Sequence, residues 1–130
     1  MKFLALIGLI ALTMSCKDQS VDGQYTITEG QSVEVSSAGK ATLTASSIQN
    51  NLCPTGVQCI RAGEILGDFL ARQDGNTVAV SLCNGPDCQN LHKGVPAKTT
   101  VAAGSRTWTI ELVNVLTTTP AKAVVNVVVQ

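Results

Sequence analysis

The chain has 130 residues and a mass of 13.5 kDa, which is room for one hydrophobic core. Hydrophobic residues make up 45% of it and charged residues 14%, a composition too apolar for intrinsic disorder. Basic and acidic residues balance at 9 each, aromatic residues are 3% and there is one histidine, which argues against nucleic-acid binding and against metal or acid–base sites built from several imidazoles.

The first fifteen residues have the pattern of a secretory signal peptide. Lys2 supplies a positive charge, residues 3–12 are uninterruptedly apolar, and small or flexible residues follow. This stretch is too short to cross a bilayer as a helix, which takes roughly 20 residues. One alternative is ordinary cleavage, which would leave Cys16 as an incidental residue.

Cys16 follows the small residue Ser15, and this junction resembles a bacterial lipobox. Leu12 lies one place earlier than the usual leucine, and Met14 is bulky for its position. The resemblance implies lipidation (palmitate-type acylation) of Cys16 and attachment to the outer membrane. The following Lys17-Asp18 is similar to the start of Bacteroidota-type lipoproteins, which implies export to the cell surface. We therefore expect a signal peptide over 1–15, a lipid-anchored stalk over 16–24 and a folded domain over 25–130.

From Tyr25 onward, apolar and polar residues alternate in short runs rich in β-branched side chains, the period of half-buried strands. The first three runs are centred on Tyr25 and Ile27, on Val33 and Val35, and on Ala41, Leu43 and Ala45. Glycine-containing turns at Glu29-Gly30 and at 38–40 separate them, and both predict hairpins.

The middle of the chain predicts a further hairpin. Asp74-Gly75-Asn76 separates the apolar runs 65–71 and 78–82, and Asp-Gly is a strong hairpin signal. The first run also matches helical spacing, but Gly67 would cost a helix about 1 kcal/mol relative to alanine. We expect a strand there.

In the last third, Trp108, Ile110 and Leu112 fall on one face of a predicted strand, and residues 124–129 form another. Pro120 marks the loop between them. Seven or eight short strands with little or no helix predict an all-β fold, a single antiparallel β-sandwich or barrel-like domain.

Apart from Cys16, the cysteines are Cys53, Cys59, Cys83 and Cys88, an even number in a chain that we expect to be exported. Disulfides are the default in that compartment. The short loops 54–58 and 84–87 contain glycine and proline, which favours the local pairs, each stabilising by roughly 2 kcal/mol. Pairing between the two loops remains an alternative.

The competing interpretation is a metal site formed by Cys83, Cys88 and His92. The cysteine spacings fit zinc poorly, and they do not fit a two-residue redox motif. We therefore predict no metal ligands and no cofactor, and we expect His92 to be a surface loop residue.

The cysteine loop resembles a family of small bacterial secreted and lipoprotein domains of unknown function, with a Cys-Pro-x4-Cys-x2-Ala-Gly-Glu loop. The matching stretch here is Cys53-Pro54-Thr55-Gly56-Val57-Gln58-Cys59-Ile60-Arg61-Ala62-Gly63-Glu64. The family also ends in a strand and proline loop like Leu112, Val115 and Pro120. This chain departs from it at residues 50–52, where the family has Asp-Ser-Arg, and at Arg61, where it has tryptophan. The resemblance supports the fold and assigns no activity.

No catalytic motif is recognisable, and we predict no catalytic residues. Glu64 and Asp68 would lie about 13 Å apart on one strand, too far for a glycosidase pair. We expect instead a non-catalytic binding or structural module of the cell envelope, held to the membrane by its N-terminal lipid, with an unidentified protein or small-molecule ligand. A specific alternative is a protease inhibitor that presents the loop between Cys53 and Cys59. The candidate binding loop is Pro54, Thr55, Gly56, Val57 and Gln58.

Overall fold

In the computed structural model, which describes residues 21–36 and 40–130, two four-stranded antiparallel sheets pack face to face. The elements are β1 (Val21–Thr28), β2 (Ser32–Ser36), β3 (Ala41–Asn50), β4 (Ile65–Gln73), β5 (Asn76–Asn84), the short helix α1 (Cys88–Leu91), β6 (Lys98–Ala103), β7 (Arg106–Leu116) and β8 (Lys122–Val129). One sheet has the order β1-β8-β7-β6 and the other β2-β3-β4-β5. The predicted all-β fold is confirmed, and of its two forms the chain adopts the sandwich.

The core lies between the sheets and follows the predicted alternation. Trp108, Ile110 and Leu112 of β7 are all fully buried, and they face Phe69 and Leu43 of the opposite sheet across the core. Burying one such side chain contributes about 1.5–3 kcal/mol, so this alternation is the main reason that the two sheets pack together.

The predicted strand and hairpin around Asp74-Gly75 are confirmed. β4 and β5 pair in register, from Ile65 with Asn84 to Gln73 with Asn76. Asp74 (φ 51°) and Gly75 (φ 84°) both have positive φ, as a two-residue type I′ turn requires. Gly67 is buried within β4, and the ring of Phe69 occupies the space where a side chain at position 67 would lie.

The hairpin predicted at Glu29-Gly30 is wrong. β1 and β2 belong to different sheets, and the turn carries the chain from one sheet to the other. The amide of Glu29 donates to the carbonyl of Ala121, beside β8, while the amide of Gly30 donates to Ala45 in β3. The same glycine signal serves a crossover here, because a local turn does not specify which sheet receives the next strand.

The domain begins earlier than predicted, because β1 starts at Val21 and includes the last four residues of the predicted stalk. Residues 21–24 pair with 126–129 of β8. In the sequence, the polar residues Asp22 and Gln24 interrupt the apolar alternation that would have indicated this strand. Gln24 is exposed, and its side-chain amide donates a hydrogen bond to Asn126 of β8 (3.2 Å). The predicted signal peptide, Cys16 and most of the turn predicted at 38–40 lie outside the described residues.

The strand directions give the sandwich two distinct ends. The N-terminal pole contains the first residues of β1, the turns at 74–75 and 104–105, and the last residues of β8. There the backbone of Asp74 donates to Lys40, and Gly104 packs against Gln73. The loop pole contains residues 51–64 and 83–97, with both cysteine pairs. No helix in the described part of the chain is long and apolar enough to span a bilayer.

Candidate functional site

The hairpin formed by β3 and β4 continues past the ends of both strands at the loop pole. The register that pairs Asn50 with Ile65 is kept, since the amide of Asn51 donates to Glu64 (2.8 Å) and the amide of Cys53 donates to Ala62 (2.9 Å). Residues 54–61, which we call the hairpin tip, therefore project beyond the sandwich on a hydrogen-bonded stem.

The Cys53–Cys59 disulfide closes a ring within this tip. Inside the ring, the amide of Val57 donates to the carbonyl of Pro54 (3.2 Å), and Gly56 has a φ of 81°, so residues 54–57 form a reverse turn. The residues of the predicted binding loop are all exposed: Pro54, Thr55, Gly56, Val57 and Gln58.

The Cys83–Cys88 disulfide joins the end of β5 to the start of α1, and both of its cysteines are buried. The two local pairs are thus the ones formed, as the loop lengths favoured. Together they indicate an oxidising, extracytoplasmic location.

Asp87, inside the ring closed by Cys83 and Cys88, links that ring to the hairpin stem at Gly63. Its carboxylate oxygen Oδ2 accepts a hydrogen bond from the amide of Gly63 (2.6 Å), and its own amide donates to the carbonyl of Gly63 (3.3 Å). A β carbon on Gly85, inside the second ring, would come within 2.9 Å of the Cα of Glu64. The second ring and the hairpin stem are therefore in close backbone contact.

Glu64 lies beneath this contact and is only 4% exposed. Its Oε1 accepts a hydrogen bond from Nδ2 of Asn51 (3.1 Å) and lies 3.2 Å from Nε2 of His92. A buried carboxylate needs such donors, because an unpaired charge in a low-dielectric interior is strongly unfavourable. Within the Ala-Gly-Glu segment, Glu64 therefore has a structural role: it joins the hairpin stem at Asn51 to His92 at the end of α1.

His92 lies in a loop and is partly exposed, as expected, but it also has a structural partner that was not predicted. It caps the C-terminal end of α1, where its amide donates to Cys88, and its side chain is 32% exposed against Glu64. This contact was not predictable from the sequence, because the residues around position 92 do not indicate a partner 28 positions earlier.

The alternative of a metal site at Cys83, Cys88 and His92 is not supported. The two sulfurs are bonded to each other, so neither is present as the thiolate that binds zinc. Among the described residues, no group of three or more histidine, cysteine, aspartate or glutamate side chains is placed to hold a metal ion.

Glu64 and Asp68 have separate surroundings. Glu64 precedes β4 and is covered by the loops, whereas Asp68 is exposed on the outer face of the sheet and accepts a hydrogen bond from Ser81 (2.8 Å). Glu64 and Asp68 therefore do not face each other, and each forms hydrogen bonds with different residues.

Exposed apolar side chains surround an open depression of about 560 Å³ at the loop pole. Ile60 and Leu52 lie on the hairpin side of it and Leu91 on the α1 side; Ile60 is fully exposed, and Leu52 and Leu91 are 40% and 45% exposed. Val57, within the first ring, is 57% exposed. Sequence reasoning missed Ile60, whose only signal was an apolar residue outside every alternating run and directly after a cysteine.

The hydrogen bonds of Glu64 and the two disulfides thus hold the loops that present these apolar side chains to solvent.

Comparison of the chain with protein-family models, with curated proteins and with solved structures found no match.

Proposed function

We propose that the protein is a lipid-anchored protein of the cell envelope, attached to the outer membrane through Cys16, that acts as a non-catalytic binding module. The observation that carries the binding role is the rigid loop pole with its exposed apolar side chains. Folded proteins usually bury such residues, and contiguous exposed apolar surface commonly marks an interaction site.

The rigidity of the loop pole supports recognition of a partner. Two disulfides, the backbone pairing of the stem and the contact between Asp87 and Gly63 fix the loops before any partner arrives. A surface that is ordered in advance loses little conformational entropy on binding, so more of its contact energy appears as affinity.

The lipid anchor is supported by the lipobox-like junction at Ser15 and Cys16 and by the oxidising location that the disulfides indicate. Each methylene buried in the bilayer contributes about 0.8 kcal/mol, so two or three acyl chains attach the domain stably without a membrane helix.

The inhibitor alternative is less well supported than general binding. Peptidases bind substrates and substrate-like inhibitors in an extended conformation, whereas residues 54–57 form a reverse turn closed by the hydrogen bond from Val57 to Pro54. A purely structural envelope role would need the same disulfides, but it would not need Ile60 and Val57 in solvent.

The anchor is tested by producing the full chain in a Gram-negative host fed a clickable palmitate analogue, beside the variant Cys16→Ser. We expect labelled wild-type protein in the outer-membrane fraction, with an intact mass equal to the chain from Cys16 plus its acyl groups. The variant should be unlabelled and released in soluble form. Unlabelled wild-type protein cleaved elsewhere would refute the anchor.

A further inference from the structure

We infer that the hairpin tip points away from the membrane and inserts Val57 and Ile60 into an apolar cleft with an acidic edge on a protein partner. This inference rests on the proposed attachment through Cys16. It names the surface that binds and the kind of partner that fits it.

The position of the anchor relative to the tip is the first step. Cys16 precedes the first residue of β1 by five residues, which can span at most about 18 Å. β1 starts at the N-terminal pole, and β4, with nine residues, runs between the poles over about 30 Å. A lipid at Cys16 therefore holds the N-terminal pole near the bilayer and leaves the hairpin tip at the far end.

The chemistry of the tip is the second step. Ile60 is fully exposed and Val57 is more than half exposed, while the ring and the stem hold the backbone beneath them. Isolated apolar residues on a surface are ordinary, but Ile60 lines one depression together with Leu52 and Leu91, and Val57 is exposed on the same hairpin tip. Side chains presented in this way fit a concave apolar cleft.

A positive charge on the hairpin tip indicates what the edge of the partner's cleft should contain. Arg61 is the one charged residue between positions 50 and 63, and it is exposed directly beside Ile60. The two carboxylates that line the same depression are engaged elsewhere, Glu64 with Asn51 and Asp87 with Gly63. A carboxylate at the edge of the partner's cleft would complement Arg61.

The position of the lipid anchor also favours a separate protein, rather than a second copy of the chain or the bilayer, as the partner of the hairpin tip. Two copies joined tip to tip would carry their lipids at opposite ends of the pair, which does not suit attachment to one leaflet. When the domain stands upright on the bilayer that holds its lipid, the separation of about 30 Å between the two poles keeps the hairpin tip away from that bilayer. A separate protein facing the membrane-distal end meets neither obstacle.

The first test uses the full, anchored chain in intact cells with a photo-crosslinking amino acid, p-benzoylphenylalanine. Positions 57 and 60 probe the hairpin tip, and the exposed positions 76 and 105 are matched controls at the N-terminal pole. We expect one and the same protein adduct from positions 57 and 60 and none from 76 and 105.

The second test measures binding of the purified adduct partner to the mature domain. Ile60→Ser and Arg61→Glu should each raise the Kd about tenfold or more, because a few central residues dominate most interfaces. Leu70→Ser should leave the Kd within about twofold, since Leu70 is an exposed apolar residue on the outer face of β4, away from the tip. Equal thermal unfolding of the variants shows that the fold is intact.

The outcomes separate the inference from the proposed function. An adduct of twice the monomer mass, an adduct with lipid alone, or a Kd unaffected by Ile60→Ser would each overturn the inference that the tip binds a separate protein. A specific adduct from positions 76 or 105 would also overturn it, yet would leave the binding role standing. If no position at either pole gave an adduct, both the binding role and the tip inference would be refuted. If the protein were not acylated, the argument that the tip points away from the membrane would no longer hold.

Discussion

Asp87 binds the peptide group on each side of Gly63, accepting a hydrogen bond from the Gly63 amide with its carboxylate and donating its own amide to the Gly63 carbonyl. Asp87 lies inside the Cys83–Cys88 ring, whereas Gly63 lies 24 positions earlier, in the stem of the hairpin whose tip contains the Cys53–Cys59 ring. Each disulfide alone stiffens only its own short ring. This contact joins the second ring to the stem that carries the first.

Asp87→Ala should therefore destabilise the domain more than its partial exposure suggests. The change leaves the Gly63 amide without its acceptor, at a cost of about 1–3 kcal/mol in the free energy of unfolding. Urea unfolding of the oxidised mature domain measures it. Asp68→Ala is the control, since Asp68 is exposed and its loss removes a surface hydrogen bond to Ser81. Equal losses for the two variants would contradict a stabilising link between Asp87 and the hairpin stem.

Gly63→Ala tests the close approach of the hairpin stem. Gly63 has a φ of 91°, and a β carbon there would overlap the carbonyl oxygen of Asn51. Gly94 has a similar φ of 83° with open space around it, so Gly94→Ala carries only the backbone strain, about 1–2 kcal/mol. Gly63→Ala should cost about 1–3 kcal/mol more, the range for overpacking.

Thermal unfolding followed by circular dichroism compares these two glycine variants under the same oxidising conditions. If Gly63→Ala and Gly94→Ala lower the melting temperature equally, the overlap with Asn51 is relieved by movement of the stem. The hairpin tip would then be less rigid than the proposed binding role requires.

Much of the sandwich was predictable because its signals are local. The alternation at Trp108, Ile110 and Leu112 and the Asp74-Gly75 turn each depend on neighbouring residues only. The local disulfides were also favoured by their short loops, which bring the cysteines together with little loss of entropy.

The parts that sequence reasoning missed depend on distant residues. The crossover at Glu29 is set by Ala121, 92 positions away, and the burial of Glu64 is completed by His92, 28 positions away. A turn signal or a lone carboxylate does not indicate such partners. The exposure of Ile60 was equally hidden, because an apolar residue in one sequence is expected in the core.

Glu64 and His92 should be energetically coupled. In a double-mutant cycle with Glu64→Ala and His92→Ala, we expect a coupling of about 1 kcal/mol, because either change alone removes the contact between the two side chains. The control cycle combines Glu64→Ala with Lys40→Ala at the N-terminal pole, where the effects should add within about 0.5 kcal/mol. Additivity in both cycles would show that the contact contributes nothing to stability.

Stepwise reduction should distinguish the two disulfides. Cys59 is exposed and Cys53 is partly exposed, whereas Cys83 and Cys88 are both buried, so a reductant reaches the first bond in the folded domain and the second chiefly after opening. Brief treatment with dilute dithiothreitol and a thiol alkylator, followed by peptide mapping, should label Cys53 and Cys59 first. Under unfolding concentrations of urea, the control, all four cysteines should be labelled at similar rates. Early labelling of Cys83 and Cys88 in the folded domain would mean that the second ring opens readily, which would contradict the tight contact between Gly85 and Glu64.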